Sequence, residues 1–223
     1  MNLESCKKAA AEKAITFIQD GMVVGIGTGS TTFYFIENLI KQCKAGLNIK
    51  AVASSEKTTE IARKGDIPLL DIHTVKSLDI YVDGADEIDP EKRMIKGGGG
   101  ALVREKIAAN MSKERIFIID ESKLVSKLGK RPLPVEIIPF GQAATIHHLE
   151  CLGYKGALRM KNNAPYVTDN HNLLYDIHLS DTIKPEMAHQ QITAVPGVVD
   201  TGLFFNLSGK IIIGFLDGKV VVQ

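Results

Sequence analysis

Four consecutive glycines, Gly97 to Gly100, separate Lys96, at the end of a short apolar run, from the charged triplet Arg104-Glu105-Lys106 in the stretch RMIKGGGGALVREKIA. Glycine loses more backbone freedom on folding than any other residue, so such a run is expected where something must approach the main chain. The flanking charges suit an anionic visitor. Glu105 falls one turn into a helix that begins after the run, on the same broad face as Ala101 and Leu102. A carboxylate shielded by apolar neighbours can serve as a general base if desolvation outweighs the tendency of the helix dipole to lower its pKa. The triplet reads equally as a solvated helix face.

Two further stretches carry chemistry. In VVGIGTGSTTFYFI a strand runs into Gly25, Gly27, Thr28, Gly29, Ser30 and Thr31 and then into a helix. Backbone N–H groups at such a junction, with the positive end of the helix dipole, cradle an anion, and hydroxyls add donors. A tight strand-to-helix turn capped by Ser30 is the plainer alternative. The dinucleotide fingerprint fails because Ser30 stands where a third glycine belongs and AVASSEK provides no acid at the end of the next strand. No Gly-Lys-Ser/Thr follows the glycines, which excludes the P-loop, so the guest is expected to be a monophosphate or similar small anion. In YVDGADEID, Asp83 and Asp86 follow an apolar strand, with Gly84 allowing a sharp turn; they read as site carboxylates or as an exposed acidic turn. Lys123, in DESK, follows a fourth strand. A carboxylate base, a cation, further carboxyl groups and a phosphate cradle fit proton abstraction next to the carbonyl of a small sugar phosphate, with no redox cofactor.

The elements that must position these residues are legible as a pattern. Up to about residue 130, short β-branched runs alternate with amphipathic stretches: a helix near 3–19, strand MVVGI, a helix from Ser30, strand IKAVA, a helix near 55–64, strands LDIYVD and RMIK, a helix at 101–111 and strand RIFIID. The strands are continuously apolar, as expected for a mainly parallel sheet covered on both faces. After GKRPLPVEIIP the order becomes strand LPVEII, helix 142–152, strands GALRMK and NLLYDIHL, helix 185–193 and strand VVDTGLFF, the βαββαβ order of a ferredoxin-like unit. The expectation is an α/β protein with a Rossmann-like domain over 1–130 plus 207–223 and a small α+β domain over 131–206. The end of the chain, KIIIGFLDGKVVVQ, reads as a hairpin turning at Asp217-Gly218 and returning to the first sheet.

Bulk properties narrow the partners. With 44% apolar and 24% charged residues the 223-residue chain is composed like a globular protein, and a net charge of +1 gives no reason to expect a nucleic-acid or membrane-surface partner. The N-terminal MNLESCKKAAAEKA has charges where a signal peptide needs an apolar core, and no apolar run approaches the ~18 residues of a spanning helix, so a cytoplasmic location is expected. Cys6, Cys43 and Cys151 are widely spaced and give neither a disulfide framework nor a zinc site.

The stretches GIGTGSTT, SSEKTTEIA, DGADEID, KGGGGALVREKI and PGVVDTGLF, in this order and spacing, resemble ribose-5-phosphate isomerase of the A type. The resemblance runs from residue 4 to the C-terminal hairpin. It implies interconversion of D-ribose 5-phosphate and D-ribulose 5-phosphate through a cis-enediolate, in the non-oxidative pentose phosphate pathway. It implies no metal or other cofactor, and a homodimer or tetramer. By the same resemblance Glu105 is the proton-transferring base, and Asp83, Asp86 and Lys96 line the reacting end of the sugar. Thr28, Gly29, Ser30 and Thr31 form the first substrate loop, Asp83 through Gly84 and Ala85 to Asp86 a second, Gly97, Gly98 and Gly99 the floor, and Lys123 a further contact. Lys7 matches a basic residue near the site, or is a solvated helix lysine beside Lys8. The sequence departs from the family in TDNHN, where His171 replaces a frequent glycine and would strain a left-handed turn.

Two other classes remain on the residues alone. One is a sugar-phosphate sensor that binds without turnover, which predicts an appended DNA-binding segment. The other is a CoA-transferase with a nucleophilic glutamate, which needs room for a nucleotide.

Overall fold

The computed structural model describes residues 2–180 and 182–223. Along the chain, α1 (Leu3–Ile15) is followed by β1 (Val23–Ile26), α2 (Ser30–Lys44), β2 (Lys50–Ala53), α3 (Glu56–Lys64) and β3 (Leu78–Asp83). Next come β4 (Glu87–Ile88), β5 (Met94–Ile95), α4 (Leu102–Asn110), β6 (Ser112–Asp120) and β7 (Leu133–Ile137). Then follow α5 (Gln142–Cys151), β8 (Gly156–Leu158), β9 (Met160–Lys161), β10 (Ala164–Pro165) and β11 (Leu173–Ile177). The chain closes with α6 (Pro185–Thr193), β12 (Val198–Thr201), β13 (Leu203–Phe204), β14 (Lys210–Gly214) and β15 (Val220–Val222). By contacts it divides into two compact units, Met1–Ala85 with Arg104–Leu124 and Asn206–Gln223, and Asp86–Val103 with Val125–Phe205.

The first unit carries a six-stranded sheet ordered β15-β14-β6-β3-β1-β2, parallel except at the β14–β15 hairpin. Residues Ile116 to Asp120 of β6 are buried without alternation, which requires cover on both faces. Ala10, Ala11 and Ala14 of α1 and Phe35, Ile36 and Leu39 of α2 pack with Val24, Ile80, Val82 and Ile118 into one core. Small α1 side chains allow close approach: a Cβ on Gly214 of β14 would lie 2.1 Å from the Cys6 carbonyl oxygen. Helix α1 stops at Ile15, short of residue 19, because the Thr16 hydroxyl donates to the Lys13 carbonyl at 2.8 Å and competes with a further helical bond.

The second unit holds a four-stranded antiparallel sheet ordered β12-β7-β11-β8, joined by α5 and α6 in the expected βαββαβ sequence. Its core gathers Leu133, Val135, Ile137, Tyr175, Ile177 and Ile192. Strand β5, expected in the parallel sheet, instead pairs antiparallel with β4 and β13. The Asp89–Arg93 turn, with Lys92 at φ +58°, leaves two residues to pair before the glycine run, too few for a parallel crossover. Residues 86–103 accordingly belong to the second unit rather than to the first. The run VVDTGLFF breaks at Gly202, whose Cβ would lie 2.2 Å from the Lys96 carbonyl oxygen and whose own carbonyl accepts from Lys96 N at 2.9 Å. GALRMK likewise breaks, at Arg159.

Candidate active site

In the first unit the loop after β1 is shaped by Gly27 and Gly29. Gly27 must be glycine because a Cβ there would lie 1.9 Å from Asp83 Cγ; Gly29, at φ +146°, occupies a conformation that favours glycine. No side chain caps α2, which leaves its first amides, at Ser30 and Thr31, for a ligand at the positive end of the helix dipole. Lys7 of α1 donates to Ser30 Oγ at 3.1 Å, so a cation stands beside this cradle. The Thr28 hydroxyl is turned elsewhere: it donates to Ser55 Oγ at 2.7 Å, within a cluster that includes Ser54 and Thr58. Its contribution is to hold the loop against the start of α3.

Asp83, at the end of β3, is fully buried. Oδ1 accepts from Thr28 N at 3.0 Å, Gly84 N at 2.7 Å and the Thr32 hydroxyl at 3.3 Å, and Oδ2 accepts from the Tyr81 hydroxyl at 2.5 Å. Such a set satisfies a buried carboxylate and fixes its direction. Tyr81 was not singled out by sequence, although a polar-tipped residue two positions before an aspartate shares its face of the strand. Burial first, then the charges of Asp83 and Glu105, push the Tyr81 phenol well above its ordinary pKa of 10.0, so it remains a donor. Glu105, in the first turn of α4, is 1% exposed, and Lys123 lies half-buried in the one-turn helix Glu121–Lys123 after β6. The first unit thus brings Lys7, Thr28–Thr31, Asp83, Gly84, Ala85, Glu105 and Lys123 into one compact body.

The second unit carries the remaining candidates. Asp86 accepts from Gly98 N at 2.7 Å, and its own amide donates to the Ile95 carbonyl. Lys96 is 2% exposed, with Nζ 5.6 Å from the centre of the Phe204 ring. Gly97, at φ +100°, and Gly100, at φ +84°, bracket a turn closed by Gly100 N donating to the Gly97 carbonyl at 3.0 Å. Gly98 and Gly99 are exposed. A third acid of DGADEID, Glu87, is 1% exposed and accepts from the amides of Gly129, at 2.7 Å, and Arg131, which makes it a brace for the 129–131 loop. His171 adopts the left-handed φ of +62° that its turn demands, with His171 N donating to the Thr168 carbonyl.

A parallel α/β sheet whose strand ends present an uncapped amide cradle and a fixed buried aspartate, with a buried glutamate on a helix of the same unit, has the parts of an α/β enzyme acting on a small phosphorylated molecule. The model of the family "Ribose 5-phosphate isomerase A (phosphoriboisomerase A)" matches residues 50–218, and the chain belongs to that family. It is 52% identical to the ribose-5-phosphate isomerase A of Protochlamydia amoebophila, over 97% of this chain and 94% of the relative. It is 47% identical to that of Bacillus mycoides, over 98% of both. Among solved structures, a D-ribose-5-phosphate isomerase in complex with phospho-erythronic acid superposes with a TM-score of 0.95 at 38% identity, covering 100% of this chain and 99% of the other. The isomerase of Methanocaldococcus jannaschii gives 0.92 at 34% identity, over 100% of both chains.

Proposed function

We propose that this protein is an aldose–ketose isomerase that interconverts D-ribose 5-phosphate and D-ribulose 5-phosphate, with Glu105 as the base. The observation that carries the assignment of residues is the occurrence, in one compact unit, of an uncapped cradle at Ser30 and Thr31, a buried Asp83 held by directed donors, and a buried Glu105. The cradle, with Lys7, takes the phosphate. Glu105 removes the proton from C2 of the open-chain aldose as electrons move to the C1 carbonyl oxygen, giving a cis-enediolate. The same carboxyl group returns the proton to C1, while the hydroxyl proton on O2 moves to O1. Asp83 and Asp86 serve these oxygen-to-oxygen transfers, Lys96 offsets the negative charge that develops, and Gly97 to Gly99 form the floor. Lys123 supplies a further contact to the sugar phosphate.

Among the described residues no group of three His, Cys, Asp or Glu is placed to hold a metal ion, and no helix is long and apolar enough to cross a membrane. A homo-oligomer in the cytoplasm belongs to the same reading and is supported by family membership. The test is conversion of D-ribose 5-phosphate by the purified protein in excess chelator and deuterated water. Turnover that survives chelation, with deuterium entering C1 of the ketose, is expected. A ligand-induced rise in melting temperature without turnover would favour the sensor.

A further inference from the structure

The glycine run is held by a residue far away in sequence. Arg159, at the break between β8 and β9, points one guanidinium nitrogen, Nη1, at two successive carbonyls, those of Gly97 at 2.9 Å and Gly98 at 3.2 Å. The rest of the guanidinium is fixed by a fork onto Asp176 of β11, from Nε at 2.8 Å and Nη2 at 2.6 Å. The backbone of Arg159 is pinned too, since its amide donates to the Leu174 carbonyl and its carbonyl accepts from Tyr166 N, both at 2.8 Å. All of these residues lie in the second unit, where Asp86, Gly98, Arg131, Arg159 and Asp176 border a cavity of about 180 Å³.

Peptide geometry turns these contacts into an orientation. In a trans peptide the C=O and the following N–H point in opposite directions. The Gly97–Gly98 peptide is therefore gripped at both ends, its carbonyl by Arg159 and its N–H by Asp86 at 2.7 Å. Because the Gly98 carbonyl also faces Arg159, the Gly99 N–H faces the opposite side of the loop, the side on which the Asp86 carboxylate lies. Gly99 is exposed, and its amide donates to no group among the described residues.

We propose that Arg159, locked by Asp176, is a positioning residue for the isomerase reaction: it fixes the glycine run so that the Gly99 amide donates to an oxygen of the sugar phosphate. Without the fork, glycines free to populate either sign of φ would let this peptide flip, and the donor would be lost from the reacting geometry. The proposal rests on the reading of Gly97 to Gly99 as the substrate floor.

The test compares Arg159→Met, Arg159→Lys and Asp176→Asn with Asp86→Asn by steady-state kinetics on D-ribose 5-phosphate and by thermal melting. Arg159→Met is expected to lower kcat by about tenfold to a hundredfold per folded molecule. Asp176→Asn, which weakens the fork but keeps the guanidinium, should lower kcat less. Arg159→Lys, which reaches a carbonyl but cannot fork, should restore kcat only in part. If Arg159→Met does not fold, the same ordering is read from the other two. A rise in KM with kcat unchanged, fully reversed by lysine, would overturn the proposal by making Arg159 a direct anion contact. Normal kinetics with a lowered melting temperature would overturn it by making the clamp structural only. In either case impaired turnover in Asp86→Asn keeps the Asp86 loop in the reacting site, whereas normal kinetics in Asp86→Asn and the Arg159 variants alike would remove both the clamp and the floor it serves.

Discussion

Replacing Tyr81 by Phe removes one oxygen atom from a fully buried ring and leaves the packing otherwise as it is, including the edge-on contact with Phe117 at a centroid distance of 6.4 Å. The lost bond is the 2.5 Å donation to Asp83 Oδ2. Hydrogen bonds to charged groups contribute about 1.5–3 kcal/mol, and here the acceptor stays buried, so the loss should fall toward the upper part of that range. At ~2–4 °C per kcal/mol for a chain of this size, the melting temperature should fall by about 4–12 °C at neutral pH. Turnover should fall as well, because Asp83 loses one of the contacts that aim it.

The effect has a pH signature. The folded protein holds the Tyr81 phenol well above 10.0, so both states keep the proton below pH 10. Above it the unfolded chain ionises while the folded chain does not, and the wild type loses up to about 1.4 kcal/mol per pH unit that the Phe variant does not lose. Urea unfolding of both proteins from pH 7 to 11 reads this directly. The stability gap should be constant up to about pH 9.5 and narrow above pH 10. A gap below ~0.5 kcal/mol at pH 7, or one that widens with pH, would refute the account of how Asp83 is held.

Gly27→Ala places a Cβ 1.9 Å from Asp83 Cγ, and the backbone cannot retreat because Gly27 N donates to the Val82 carbonyl and the Gly27 carbonyl accepts from Thr58. Overpacking of this kind costs ~3 kcal/mol, so calorimetry should show a large drop in melting temperature, accompanied by loss of turnover as Asp83 is displaced. His171→Gly relieves a left-handed residue at φ +62° and should stabilise the protein by up to ~1 kcal/mol, less the added freedom of glycine in the unfolded chain, with kcat and KM unchanged. Thermal melting and kinetics on that variant check both halves.

The six-stranded sheet was readable in the sequence because its strands are unbroken runs of β-branched and aromatic residues, and a strand buried on both faces needs no alternation. The βαββαβ order was readable from its helices and the proline-rich boundary. Two-residue strands were not: Glu87–Ile88 is hidden in an acidic stretch that reads as a turn, and Met94–Ile95 pairs with that hidden strand on one side and, across some hundred residues, with β13 on the other. The site residues were legible where glycine and acid share a short stretch, as at Gly27–Thr31 and Asp83–Asp86. The supports were not. The Arg159 to Gly97 contact spans 62 positions, and a lone arginine in a strand-like run carries no signal of its partner. Lys7, ambiguous as one of two adjacent lysines, gains a direction only through its bond to Ser30.

The account stands on Glu105 as the base, and Glu105→Gln tests it most directly, with turnover of D-ribose 5-phosphate measured beside binding of the same sugar phosphate by calorimetry. Glutamine keeps the size and burial of the side chain but cannot take a proton. Turnover should fall by about a hundredfold to ten-thousandfold while the dissociation constant changes by no more than a few-fold. Turnover within a factor of ~3 of the wild type, with the variant folded and binding, would contradict the assignment.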